Sequence, residues 1–240
     1  MQISKNDIKR VRQLQQKKFR DETGLFVAEG RKAVDELQKG FELTMLIDEG
    51  NATAKEIEQM SGLRSPQGVI GVFRQRVAQD DFIPSEKELT VVLDDVQDPG
   101  NMGTIIRTAD WFGVRNIVCS SHCADCYNPK VVQATMGALA RVRVFYTDLV
   151  PWLQHTLLSL PTLPLYGTLL DGNDIYQEQL SEGGLIMMGN EGNGLSEPVR
   201  SMLTHKLRFP SYPQNADTSE SLNVGIATAI VLAEFRRRMR

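Results

Sequence analysis

Three short stretches hold side chains that could do chemistry together. The first is Gly189-Asn190-Glu191-Gly192-Asn193-Gly194-Leu195-Ser196-Glu197-Pro198. Three glycines in six residues let the backbone approach a ligand and offer it N–H and C=O groups, and Glu191 sets a carboxylate among them. The G-x-x-G-x-G spacing is neither the dinucleotide fingerprint nor a P-loop, so neither phosphate-binding mechanism applies directly. The plainer reading is a tight Gly/Asn turn with a solvent-facing Glu. The second stretch is Asp94-Asp95-Val96-Gln97-Asp98-Pro99-Gly100-Asn101-Met102-Gly103, followed by Arg107. Here Asn101 can cap a helix whose apolar face is Met102, Ile105, Ile106, Ala109 and Phe112. Arg107 points off that face and suits an anionic group; taken alone, it would be a surface Arg paired with Asp110. The third is Asp217-Thr218-Ser219-Glu220-Ser221-Leu222-Asn223-Val224. Ser219 and Ser221 are candidate caps, and Asn223 in a first turn can turn its amide toward a pocket.

The elements around these stretches place them. Leu185-Ile186-Met187-Met188 is short and wholly apolar, which predicts a buried strand before the glycines, with a helix starting at Ser196. Strands are likewise predicted at Thr90–Leu93, Asn116–Val118, Arg143–Tyr146, Leu165–Leu170 and Lys206–Phe209. Helices are predicted near Met102–Phe112, Lys130–Leu139, Leu149–Ser159 and Ser221–Arg238. This alternation implies an α/β fold with a mostly parallel sheet covered on both faces. Ligands of such sheets bind at the strands' carboxyl ends, where the first two stretches fall. On the last helix Leu222, Ile226, Ala229 and Ala233 form one apolar stripe, and Val224, Val231 and Phe235 another. The second stripe predicts a covering partner such as another subunit; a core helix sandwiched in a monomer is nearly as good a reading.

Residues 1–75 alternate helix and strand in a separate small α/β unit: a helix from Ser4 to about Phe19, then Leu25–Val27, Arg31–Gln38, Leu43–Ile47, Ala52–Met60 and Val69–Phe73. Residues 76–88 carry Asp80-Asp81, Pro84 and Ser85 with little periodic apolar content, and predict a linker before a unit spanning 89–240. Of 240 residues, 41% are apolar and 24% charged, ordinary for a globular chain. No apolar run reaches membrane-spanning length and Met1-Gln2-Ile3-Ser4-Lys5 lacks a signal-peptide core, so a cytoplasmic protein is expected. The net charge of −3 conceals local basic patches. Lys5, Lys9, Arg10, Arg12, Lys17, Lys18 and Arg20 are opposed only by Asp7, and the chain ends Arg236-Arg237-Arg238-Met239-Arg240. Such patches, rather than the global balance, set phosphate binding, and Lys9, Arg10, Lys17 and Lys18 are the candidate nucleic-acid contacts; either cluster taken alone reads better as a solvated helix face or a frayed tail. Cys119, Cys123 and Cys126, with His122, have partial zinc spacing but all lie in one short loop, so structural thiols are favoured and no metal is expected.

Taken together, the stretches resemble the SpoU (TrmH) family of RNA ribose 2′-O-methyltransferases of the SPOUT superfamily. The resemblance rests on Asp98-Pro99-Gly100-Asn101-x-Gly103-Thr104-Ile105-x-Arg107-Thr108-Ala109, on Gly189-Asn190-Glu191-Gly192-x-Gly194-Leu195-Ser196, and on Pro210 followed after a spacer by Ser221-Leu222-Asn223-Val224. Tyr127-Asn128-Pro129-Lys130-Val131-Val132 through Met136-Gly137-Ala138 also matches. Phe26-Val27-Ala28-Glu29-Gly30 and Pro66-Gln67-Gly68-Val69 are similar to the family's N-terminal substrate domain, itself like small RNA-binding ribosomal proteins. The chain departs from the family in its long Ser211–Glu220 segment, which lacks a glycine, and in Gly225, where Ser is common. The resemblance implies a trefoil-knotted parallel-sheet domain, a homodimer and S-adenosyl-L-methionine as methyl donor. It implies donor contacts from Thr168, Leu169, Gly189, Asn190, Gly192, Phe209, Pro210 and Leu222, and a catalytic cluster of Asn101, Arg107, Glu191, Ser221 and Asn223. In such families the Arg has been proposed as the base; a guanidinium holds its proton to above about pH 12, so a phosphate clamp is physically easier. RNA is implied as partner, ribosomal RNA ahead of transfer RNA, with a non-catalytic ribosome-assembly factor as the reading from another class.

Overall fold

The computed structural model describes residues 2–77, 82–213 and 221–239. The chain opens with helices α1 (Lys5–Gln13) and α2 (Lys17–Thr23). Then come β1 (Leu25–Glu29), α3 (Arg31–Leu37), β2 (Leu43–Ile47), α4 (Ala54–Met60) and β3 (Ile70–Arg74). The three strands make an antiparallel sheet in the order β1-β3-β2. The single basic helix expected from Ser4 to Phe19 is two helices. Ser4 does cap the first, in a reciprocal capping box with Asp7. The break follows from Arg20, whose guanidinium donates to the carbonyls of Leu14 (2.9 Å) and Gln15 (3.1 Å), acceptors left orphaned at the end of α1. Arg20 is buried and pairs with Asp125 at 2.7 Å, which removes it from the basic surface.

The second half runs β4 (Leu89–Leu93), α5 (Pro99–Trp111), β5 (Asn116–Ser120), α6 (Pro129–Thr135), a 3-10 turn at Ala138–Ala140 and β6 (Arg143–Thr147). It continues α7 (Leu149–Ser159), β7 (Leu165–Asp174), β8 (Gly184–Met188), α8 (Glu197–Ser201), β9 (His205–Arg208) and α9 (Val224–Arg237). The six strands are parallel in the order β6-β5-β4-β8-β7-β9. Alternation splits each strand between two cores. Val91, Leu93, Ile117, Ile186 and Met188 face α5, α6 and α9, while Val92, Val118, Leu185 and Met187 face α7 and α8. Burial on both faces is why these strands read as unbroken apolar runs. Residues 214–220, Ser219 among them, in the C-terminal part where the resemblance implies the knot, lie outside those described.

The two units share one core. Phe26 of β1 packs on Tyr127 (ring centroids 4.8 Å apart) and on Phe41 (5.1 Å). Arg76 spans the seam, donating to the carbonyls of Ala140 (2.7 Å) and Val142 (2.9 Å) and lying over the Phe41 ring. Burial depresses its guanidinium. Further along, Phe82 stacks on Phe145 and accepts from the Trp152 indole N–H at 2.9 Å, so both described ends of the 76–88 segment are anchored.

The two stripes on α9 take the opposite roles to those expected. Val224, Val231 and Phe235 are buried within this chain. Leu222 and Ile226 are about half exposed (48% and 54%) and Ala233 is exposed too. The arginine tail is structural as far as Arg238: Arg236 donates to the Phe112 carbonyl at 2.7 Å, and Arg237 and Arg238 bind Glu234. Glu234 is held down to about pH 2, chiefly by the Arg237 hydrogen bond.

Candidate active site

β4 and β8 end in register, Leu93 opposite Met188, so the Asp94 and Gly189 loops leave the sheet side by side. The helix after the first loop is capped by Asp98, not by Asn101: the Asp98 carboxylate accepts the Asn101 backbone N–H at 2.8 Å, and Pro99 fills the first turn. That frees the Asn101 side chain. α9 is capped by Asn223, not by Ser221: its side-chain oxygen accepts from the N–H groups of Gly225 (3.0 Å) and Ile226 (3.3 Å). With that oxygen committed, the Asn223 amide nitrogen points outward and donates to the Asn101 side-chain oxygen at 2.8 Å. The Asn101 amide nitrogen in turn donates to Glu191 at 2.7 Å. Both amide orientations follow from the helix cap at one end and an acceptor-only carboxylate at the other. All three motifs therefore meet in one directed chain, Asn223 to Asn101 to Glu191.

The glycine loop is built to present Glu191. A Cβ at Gly189 would lie 2.2 Å from the Gly194 carbonyl carbon, so the loop can close only around a glycine. Asn190 and Gly194 exchange backbone hydrogen bonds at 2.9 Å. The Asn190 side-chain oxygen accepts from Gly192 and Asn193 N–H, and its amide donates to the Asp95 carbonyl at 2.8 Å. Glu191 rides the exposed tip.

Arg107 and Ser221 stand outside this chain. Arg107 is exposed and makes no hydrogen bond or ion pair among the described residues. The pairing with Asp110 does not occur, because Asp110 is held by Arg115 and Arg141. Six residues put Arg107 about 9 Å along α5 from Asn101, with its side chain leaning back toward the helix start. Gly225 is fitted to its neighbour: a Cβ there would sit 3.1 Å from Thr104 Cγ2 on α5.

Most of the expected donor residues follow three neighbouring strands. β8, β7 and β9 are adjacent and parallel, so Gly189, Thr168-Leu169 and Phe209-Pro210 emerge together. Thr168 and Asn173 both register with Leu207, so residues 169–172 loop out of the sheet. Half-buried Leu169 packs on the α7–α8 side of the sheet and half-buried Phe209 on the α5–α9 side, while Gly192 offers a bare backbone and half-exposed Leu222 stands beside the Asn223 cap. Lys9, Arg10, Lys17 and Lys18 lie exposed on the other unit, Lys17 and Lys18 paired with Asp21 and Glu22.

A separate cleft of about 870 Å³ lies where the two units meet, lined by Arg76, Asp125, Tyr127, Arg143 and Tyr146 and by no residue of the three motif stretches. Cys123 edges it. The Cys123 thiol donates to the Leu93 carbonyl (3.3 Å) and accepts from Val96 N–H (3.3 Å). Hydrogen bonding from Cys119, and less from Ser120, lowers it to about 7, whereas burial pushes Cys126 up to about 12. Sequence reasoning includes Asp94 and Asp95 in the second stretch but gives them no role. Their signal was two acidic residues directly after an apolar strand.

Residues 88–233 match the SpoU rRNA Methylase family, and residues 5–64 match the MRM3-like substrate binding domain. The chain is 31% identical to the 23S rRNA (guanosine(2553)-2′-O)-methyltransferase of Bacillus subtilis, covering 95% of each chain. A TrmH-family putative RNA methyltransferase from Porphyromonas gingivalis superposes with a TM-score of 0.88 at 36% identity, over 99% of this chain and all of that one. An AdoMet-bound rRNA methyltransferase from Sinorhizobium meliloti gives 0.86 at 32% identity, over 100% of this chain and 98% of that one. Sheet, loops and likeness together define the class, a methyltransferase acting on RNA. More narrowly, the chain belongs to the SpoU rRNA Methylase family.

Proposed function

We propose that this chain methylates a ribose 2′-hydroxyl of ribosomal RNA in the cytoplasm, using S-adenosyl-L-methionine. The observation that carries the reading is the Asn223–Asn101–Glu191 chain, because it joins three distant stretches at the mouth of the donor loops. The donor, when bound, supplies an electrophilic sulfonium methyl. Thr168, Leu169, Gly189, Asn190, Gly192, Phe209, Pro210 and Leu222 hold it. The protein's remaining task is to fix the hydroxyl in line, and positioning alone can supply a large part of the barrier reduction. Asn101 and Asn223 orient the hydroxyl by hydrogen bonds, with Ser221 at their flank. Arg107, exposed and unpaired among the described residues, clamps a phosphate beside the reacting ribose. Only RNA offers the 2′-hydroxyl.

Residues 1–75 serve as the RNA-binding unit, 76–88 as linker and 89–240 as the methyltransferase unit. Lys9 and Arg10, exposed and without an ion pair among the described residues, are the stronger phosphate contacts. The active form is a homodimer. Its support is the uncovered stripe of Ile226 and Ala233 on α9 with Leu222 just before its cap, together with Trp111, 86% exposed on neighbouring α5. Light scattering should give twice the 26.9 kDa chain mass, and Ile226→Glu should give the monomer. Calorimetry with S-adenosyl-L-methionine and mapping of 2′-O-methyls in cells with and without the protein test the activity. Loss of one ribosomal methyl is expected. Loss of a transfer RNA methyl would move the substrate, and a chain that binds no donor would be an assembly factor instead.

A further inference from the structure

Two consecutive residues at the end of β4 hold both ends of the glycine loop. Asp94 is buried, 8% exposed, and its carboxylate accepts the Ser196 backbone N–H at 2.8 Å, where the loop ends. Its own N–H donates to the Met188 carbonyl at 2.9 Å, where the loop begins. Asp95 has φ of +60°, a left-handed conformation that a side-chain-bearing residue rarely adopts. That turn aims its carbonyl at the Asn190 amide (2.8 Å) and its N–H at Ser120 Oγ (3.0 Å). Such strain persists where the surroundings over-determine it, often beside functional sites. Three residues further on, Asp98 starts the helix that carries Asn101. The same short segment thus fixes Glu191 from one side and its partner Asn101 from the other.

We propose that Asp94 is a positioning residue for methyl transfer: by holding the Ser196 N–H it sets where the Gly189–Ser196 loop places Glu191 against Asn101. The inference rests on the methyltransferase reading above. Leu195 is buried, 7% exposed, and gives the loop an apolar anchor independent of the Asp94 carboxylate, so loss of the carboxylate is expected to shift the loop rather than unfold it. A shift on the order of 1 Å near a reacting centre costs about 10²-fold in rate.

The test compares Asp94→Ala, Asp94→Asn and Ser196→Pro. Ser196 has φ of −61°, so proline fits its backbone and removes the donated N–H. With saturating donor and RNA, Asp94→Ala and Ser196→Pro should each lower kcat about 30–100-fold. Asp94→Asn, which keeps an acceptor oxygen, should stay within about fivefold. Asp94→Ala combined with Glu191→Ala should be no slower than Glu191→Ala alone, because both act through the same tip. Wild-type kcat in both Asp94→Ala and Ser196→Pro, or rate losses that multiply in the double variant, would overturn the proposal. Hydrogen exchange over residues 189–199 reads the same latch without activity. Faster exchange confined to that segment in Asp94→Ala upholds the latch, and a wild-type chain that methylates no RNA would then overturn the methyltransferase reading alone; unchanged exchange there overturns the proposal.

Discussion

Replacing Asn101 with Ala removes the middle of the hydrogen-bonded chain and nothing from the core. Two bonds go: the one accepted from Asn223 (2.8 Å) and the one donated to Glu191 (2.7 Å). A neutral bond contributes about 0.5–1.5 kcal/mol and one to a carboxylate about 1.5–3 kcal/mol. Both are exposed, so the lower ends apply, about 2 kcal/mol together. For a chain of this length that lowers Tm by about 4–8 °C. Asp98 still caps α5 and Asn223 still caps α9, so the helices survive. The rate should fall further than stability implies, by about 10²-fold, because Glu191 and Asn223 lose their shared reference point. Asn101→Asp sharpens the test. An aspartate still accepts from Asn223 but faces Glu191 carboxylate to carboxylate, so it should be at least as slow at neutral pH. Part of its rate should return under acid, where the pair shares a proton. Single-turnover methylation against pH, with calorimetric Tm on the same samples, decides. A rate for Asn101→Ala within threefold of wild type would refute the reasoning, and wild-type activity of Asn101→Asp at pH 7 would refute the direction of the chain.

Arg107→Lys keeps the charge and loses the fork, so RNA binding should weaken, some turnover remain and the alkaline limb of the pH–rate profile stay put; a shifted limb with unchanged RNA affinity would make Arg107 the base. Lys9→Ala with Arg10→Ala should flatten the plot of log affinity for single-stranded RNA against log salt by about 1–1.5 units and leave donor binding alone; an unchanged slope would remove that face from the RNA path. Iodoacetamide should label Cys123 with a midpoint near its pKa of about 7, since the thiolate is the nucleophile and its fraction rises through that pKa, while Cys126, pushed up to about 12, stays unlabelled to mild alkali; equal labelling of the two by mass spectrometry would contradict the assignment.

Element types were legible because the strands here are unambiguous. A run such as Leu185–Met188 is buried on both faces and has no polar alternation to confuse it. The motif residues were legible as residues, but their mutual geometry was not. Asn101 reads as a cap because it stands before an apolar helix, whereas the side chain that caps is Asp98, three residues earlier and followed by Pro99. The same error ran at α9, where Asn223 takes the position expected for Ser221. Capping offsets of two or three residues leave periodicity unchanged, so pattern alone does not register them. Choosing which stripe of α9 faces inward needs the position of α5, a tertiary fact. Arg20 and Arg236 read as surface charge in sequence because their acceptors, Asp125 and the Phe112 carbonyl, lie about a hundred residues or more away along the chain.

The seam between the two units has a consequence for how a substrate nucleotide is chosen. Arg20 with Asp125, Arg76 with two carbonyls, and Phe26 against Tyr127 tie the first unit to the second at three points among the described residues. Lys9 and Arg10 therefore stand at a fixed span from Glu191, as the two jaws of a caliper do. An RNA that touches both presents one ribose to the donor, and its neighbours along the strand fall short of it or overshoot. Selectivity for a single nucleotide can then come from length measured along folded RNA, without any side chain reading the base.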